Sequence, residues 1–172
     1  MILETSRLRL RPLRADDAVD LHALMSDADV MAFWDIPEVE DIELTTLILQ
    51  NQIDQMSAKK ALYWAMELRG DGTFIGCCDI SDIERWHHRG EVGFIVAKAH
   101  WGDGYTQEAM QAVVAHAAQG LRLKRLTART HLGNVRSVRL LERLGFRQEG
   151  LLRGYVDRDG ERRDCLMFGL LL

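Results

Sequence analysis

The chain has 172 residues, 47% hydrophobic and 28% charged, with a formal net charge of −4 and a pI near 5.9. That length predicts one domain, 1–172, large enough to bury one substantial core, in the compositional range of soluble globular proteins. The charge excludes a basic field for nucleic acid, and no apolar run approaches the ~20 residues of a membrane span.

Met1 to Arg7 lacks the apolar core of a signal peptide. Leu8, Leu10 and Pro12 then alternate with Arg7, Arg9 and Arg11, which predicts a half-buried strand with a basic outer face. Asp16 and Asp17 open an amphipathic helix carrying Val19, Leu21, Leu24 and Met25. Residues 27–41 read as irregular, and a second helix is expected from Ile42 to Met56. Leu62 to Leu68 predicts a strand, and Asp71-Gly72 the hairpin turn into Phe74 to Ile80. Glu91 to Val96 is a third strand, antiparallel to its predecessor.

A helix follows from Gly104 to Gly120, with Met110, Val113, Val114 and Ala117 at i, i+3, i+4 and i+7. Leu123 to Thr130 is a strand, Asn134 to Leu144 a helix closed by Gly145, and Phe146 to Tyr155 a strand. Asp159-Gly160 turns it back into Arg163 to Leu170. Helices interleaved with mostly hairpin-joined strands predict an α/β fold with a mixed, mostly antiparallel sheet of about seven strands.

Three cysteines, two of them adjacent at Cys77 and Cys78, form neither a disulfide framework nor a spaced metal site, and fit a reducing cytoplasmic setting. Adjacent His87 and His88 would point to opposite faces of a strand and are read as loop residues; no metal is expected. Trp34 and Trp64 are read as core aromatics that also suit the wall of an acceptor pocket.

The segment Trp101-Gly102-Asp103-Gly104-Tyr105-Thr106 connects a strand to a helix. Glycines at alternate positions let backbone N–H groups turn inward, and the helix start adds unpaired N–H groups and a positive dipole end. Such a turn suits phosphate or pyrophosphate; the glycines alone would equally serve a tight connection. A dinucleotide fingerprint needs a third glycine where Gln107 stands, and no lysine completes a P-loop.

In sequence the chain resembles the GNAT acetyltransferases, and within them the RimJ/RimL-type branch. The resemblance is carried by Leu3 to Arg14 with Asp16-Asp17-Ala18, by Glu91-Val-Gly-Phe94 running into Trp101-Gly-Asp-Gly-Tyr105 and Glu108-Ala109, and by Asn134-Val-Arg-Ser137, Leu140 to Phe146 and Glu149-Gly150. It implies a GNAT fold and acetyl-CoA as co-substrate. Backbone N–H groups of the turn at 102–106 would meet the CoA pyrophosphate, and the strand end at Ile95 and Val96 would hydrogen-bond pantetheine. Thr106 departs from the usual Gly or Ala of that turn. Asn134 and Ser137 would line the thiol end, Asn134 being in any case a favourable N-cap. The tyrosine that many members carry seven residues after this Asn is replaced here by Leu141; the resemblance to RimL-like members implies Ser137 instead as the acid or hydrogen-bond donor to the thiolate.

The implied chemistry is direct attack of a neutral amine on the thioester, within a ternary complex and with no acyl-enzyme. The acceptor expected is the α-amine of a protein N-terminus, ribosomal proteins included, or a small amine. Glu91 is the first base candidate because it lies on the strand leading to the cofactor, and His131 the second for its intrinsic pKa. Some relatives carry a carboxylate where Val156 stands here. A non-catalytic acyl-CoA-binding module and another donor such as succinyl-CoA stay open, as does the oligomeric state, a dimer included.

Overall fold

A computed structural model describes residues 1–172. One sheet of eight strands runs through it, in the order β1-β2-β3-β4-β5-β6-β8-β7. The strands are β1 (Leu3–Glu4), β2 (Leu8–Pro12), β3 (Leu62–Leu68), β4 (Phe74–Glu84), β5 (Arg89–Val96), β6 (Arg125–His131), β7 (Arg147–Arg158) and β8 (Glu161–Leu171). Every neighbouring pair is antiparallel except β5 with β6. The mixed α/β expectation therefore stands, with β1, only two residues long, as the added strand.

Helices α1 (Ala18–Met25), α2 (Ala28–Met31) and α3 (Ile42–Ser57) cover one face, where Leu21, Leu24, Met31 and Leu49 pack on Ala65, Cys77 and Ile95. Helices α4 (Tyr105–Gln119) and α5 (Val135–Arg143) cover the other. There Ala109, Met110, Val113 and Ala117 form a buried stripe against Leu8, Leu10, Met66, Val96 and Leu126. His87 and His88 lie in the β4–β5 turn.

Four local expectations change. Arg11 is 7% exposed rather than on a basic outer face: its guanidinium binds Asp17 in bidentate fashion at 2.6 and 2.8 Å and Glu67 at 2.6 Å. Asp17 thereby belongs to a buried ion pair, and α1 begins one residue later, after a 3-10 turn. Val19 is 68% exposed, outside the apolar stripe of α1. Residues 27–41 contain α2, whose N-cap Asp27 accepts from the N–H groups of Asp29 and Val30.

The sheet parts where β5 meets β6. Pairing runs only through Arg89–Arg125, Gly90–Leu126 and Glu91–Thr127, after which the parallel strands have no further partners in common. Ala97 N–H bonds the Ile75 carbonyl at 2.9 Å, and Ile95 stands opposite Cys77 in the same phase of the β4–β5 ladder. By alternation, the backbone groups of Ile95 turn to β4, whereas those of Phe94 and Val96 turn to the gap.

Candidate active site

The gap opens into a cavity of about 610 Å³ that passes through the sheet. One side is built by the loop after β5, the start of α4 and the α5 helix; the other by 29–35 and the β4, β5 and β6 side chains that face them. Ser137, Glu91 and His131 all line this one cavity, although they come from α5, β5 and β6.

On the helical side, Gly102 and Gly104 adopt φ of +89° and +80°, a region in which a side chain is strained. The first ladder bond of α4 runs from Glu108 N–H to the Gly104 carbonyl at 3.0 Å. The N–H groups of Tyr105, Thr106 and Gln107 consequently have no acceptor within the helix. The turn is held from behind: Glu108 accepts from Thr5 Oγ1 at 2.6 Å and from the Arg7 backbone and Nε at 2.7 Å, and Arg7 Nη1 donates to the Asp103 carbonyl at 3.0 Å. Arg7 also lies 4.3 Å over the Tyr105 ring.

Of the residues expected at the cofactor, Ile95, Val96, Trp101, Gly102, Gly104, Thr106, Asn134 and Ser137 line the cavity. Asp103 and Tyr105 do not, because their contacts are with Arg7 on the far side of the turn. For Ile95 the correction is one of direction, its backbone being committed to β4 while Val96 and Phe94 face the gap. Trp101 donates its indole N–H to the Val96 carbonyl at 2.9 Å, and the Arg136 guanidinium stacks 3.7 Å over its ring. Asn134 accepts from Ser137 N–H at 3.2 Å, the N-cap expected of it, which leaves the Ser137 hydroxyl uncommitted. Leu141 is buried one turn below Ser137 in the cavity wall.

The opposite side is rich in acid. Asp35 binds Arg129 Nη1 and His131 Nε2, each at 2.9 Å. Burial pushes the Asp35 carboxyl up, but His131 and Arg129 outweigh it and hold its pKa below the ordinary value. Glu91 lies 3.9 Å from Arg129, and burial, only partly opposed by that cation, raises its pKa. Asp29 pairs with Lys98 at the rim. Trp34 lines the cavity, whereas Trp64 is core, 2% exposed with its indole N–H on the Met1 carbonyl at 3.1 Å.

A further carboxyl, Asp79 of β4, which is not among the candidates legible in the sequence, also reaches the cavity. Burial drives its pKa up to about 7; a Ser81 hydrogen bond opposes this, while Glu91 and Asp82 add to it. The sequence signal was a lone acid in the apolar run Cys77-Cys78-Asp79-Ile80, two residues from a serine.

The sheet parts at a parallel pair, with a Gly-rich helix start on one side of the cavity and an acid-lined wall on the other. The donor set fits CoA on two counts. The helix-start N–H groups of Thr106 and Gln107 in the cavity wall match a pyrophosphate, and the strand edge at Phe94 with the Val96 N–H matches an amide-bearing arm. Residues 7–147 match the family model for the acetyltransferase (GNAT) domain, and the chain belongs to that family. It is 30% identical over 170 residues to YoaA, an uncharacterized N-acetyltransferase of Bacillus subtilis (strain 168), covering 99% of this chain and 96% of that one. In fold it is similar to RimL, the ribosomal L7/L12 alpha-N-protein acetyltransferase in complex with coenzyme A, at a TM-score of 0.91, 20% identity and coverage of 100% and 98%. It is likewise similar to the spermidine N-acetyltransferase of Vibrio cholerae in complex with CoA and spermine, at a TM-score of 0.85, 22% identity and 96% of each chain. The chain is an acetyl-CoA-dependent N-acetyltransferase.

Proposed function

We propose that the chain, acting as one unit over residues 1–172, transfers acetyl from acetyl-CoA to the primary amine of a cationic acceptor, by direct attack in a ternary complex. The observation that carries this reading is the cavity through the β5–β6 gap, with free backbone donors on one side and an excess of carboxylates on the other. On this side three carboxyls, Asp35, Asp79 and Glu91, stand against one guanidinium, that of Arg129, which pairs with Asp35 and lies 3.9 Å from Glu91, an imbalance that favours an amine bearing additional positive charge. A small polyamine meets that requirement, as does the α-amine of a protein N-terminus with basic neighbours. The relatives named for spermidine and for ribosomal protein support both.

When bound, acetyl-CoA supplies the activated acetyl group. Its pyrophosphate would lie on the N–H groups of Thr106 and Gln107, and its pantetheine along Phe94 and Val96. The free Val96 N–H suits polarisation of the thioester carbonyl, and the Ser137 hydroxyl suits a hydrogen bond to the departing thiolate. Neither cysteine of β4 suits a covalent relay: Cys77 and Cys78 are buried, and burial holds both thiols up, Cys77 well above its ordinary value. With Cys165 also free and buried, a reducing cytoplasmic setting is the one these thiols support.

The test is thiol release from acetyl-CoA in the presence of spermidine, spermine and peptides with free N-termini, with mass spectrometry of the products. Amine-dependent release with a single added acetyl group is expected. Tight CoA binding with no release on any amine would overturn the reading, and a faster reaction with succinyl-CoA would reassign the donor.

A further inference from the structure

We propose that Asp79 is the general base of this reaction, its carboxylate taking the proton from the acceptor amine. The inference rests on the acetyl-transfer reading above and adds to it the residue that makes the amine nucleophilic.

Apart from Asp29, which pairs with Lys98 at the rim, four groups on the acceptor side have the chemistry for the task, and three are engaged. His131 Nε2 and Asp35 hold each other at 2.9 Å, Asp35 also takes Arg129, and Glu91 faces the same guanidinium at 3.9 Å. Asp79 has no cationic partner. Its neighbours are Tyr63 opposite it on β3, Ser81 and Asp82 on its own strand, and Glu91 on β5, all neutral or acidic. A carboxylate half-buried in a cavity wall without a cation is poorly compensated, so its retention there points to a role outside stability.

Position supports that role. Asp79 stands directly opposite Gly93, and a Cβ on Gly93 would meet Asp79 Oδ1 at 2.6 Å. The missing side chain is thus the space into which the carboxylate leans across β5. That strand continues into Phe94 and Val96, whose backbone groups face the gap. A pKa of about 7 matches a base that must be ionised near neutrality and still accept a proton.

The proton balance is simple. The ammonium form of the acceptor gives one proton to the Asp79 carboxylate, and the freed lone pair forms the C–N bond to the acetyl carbon. As the C–S bond breaks, the second nitrogen proton passes to the departing sulfur, and Asp79 returns its proton to water.

The experiment compares wild type, Asp79→Asn, Gly93→Ala and Glu91→Gln in pH profiles of kcat/KM, together with CoA affinity by calorimetry and thermal melting. Asp79→Asn is expected to lower kcat by about 10²-fold or more and to erase the acid limb near pH 7, with CoA affinity unchanged. Gly93→Ala, which displaces the carboxylate but keeps it, is expected to lower kcat and shift the limb. If wild type is active while Asp79→Asn keeps both rate and limb, or Glu91→Gln alone removes the limb, the proposal is overturned and acetyl transfer survives. Wild type inert toward every amine overturns both. Selective ¹³C-labelling of aspartate gives a readout apart from turnover. A carboxyl titrating near 7 and absent from Asp79→Asn is expected, and one titrating in the ordinary carboxylate range overturns the assignment.

Discussion

Arg158, at the end of β7, donates through Nη1 to the carbonyl of Met31 at 2.6 Å, and the same nitrogen serves the carbonyls of Ala32 and Trp34 at 3.2 Å each. One guanidinium, 7% exposed, thereby gathers the C-terminal carbonyls of α2 and fixes the segment that carries Trp34 and Asp35 into the cavity. Replacing Arg158 by Ala is expected to cost on the order of 2–3 kcal/mol, because buried carbonyls lose a charged donor. The amine KM should rise while CoA affinity holds, and Arg158→Lys should rescue little, since an ammonium lacks the planar fork. Thermal melting and steady-state kinetics on both variants check this.

Gly102→Ala isolates backbone strain from crowding. No atom lies within 4 Å of a Cβ built there, yet φ is +89°. The expected cost is about 1 kcal/mol of stability, with a larger loss of CoA affinity as the turn relaxes away from its donor geometry. Calorimetric titration with CoA alone reads it.

Asp79→Asn is expected to stabilise the protein in alkaline solution. The folded-state pKa of about 7 lies above the ordinary 3.8, so the native state binds the extra proton between those values. Wild-type stability accordingly declines as pH rises from about 4 to 7, and above that the ionised form carries the full penalty. An amide at 79 removes the charge, which should gain on the order of 2 kcal/mol at pH 8 and little at pH 4. Chemical denaturation at the two pH values measures the difference. Enhanced stability joined to lost activity is the outcome expected of a functional carboxylate.

Ser137 and Asn134 separate by readout. Asn134 caps α5 through the backbone N–H of Ser137, so Ser137→Ala keeps the cap and is expected to lower kcat about tenfold with little change in melting. Asn134→Ala removes the cap and should cost about 1 kcal/mol. Equal destabilisation by both would refute the division.

Much of the fold was readable because periodicity and turn chemistry agree with it. Leu62–Leu68 forms the strand that its composition predicts, and Asp71-Gly72 makes the turn, with Gly72 at φ +77°. The α4 stripe and the Gly145 stop, at φ +91°, follow the same logic. What escaped depends on contacts distant in the chain. Strand β1 exists only because Leu3 and Glu4 pair with Leu10 and Arg9, and α2 leans on Arg158, 127 residues from Met31. By sequence Arg11 alternates like a solvent-facing cation, whereas in the fold Asp17 and Glu67 enclose it. Ser137, Glu91 and His131 were each identifiable by residue type, but their shared cavity required the parting of β5 from β6. Asp79 was hidden for a related reason: only the β4–β5 register reveals that it faces a glycine.

That parting has a mechanical side. Only three ladder pairs join the backbones of β5 and β6, so the sheet is two half-sheets joined by a short seam. A donor lying along Phe94 and Val96 would act as an inserted strand, completing the ladder that the chain leaves open. Amide exchange at those two positions should therefore be fast in the free protein and slow sharply with CoA, as the two halves begin to unfold as one.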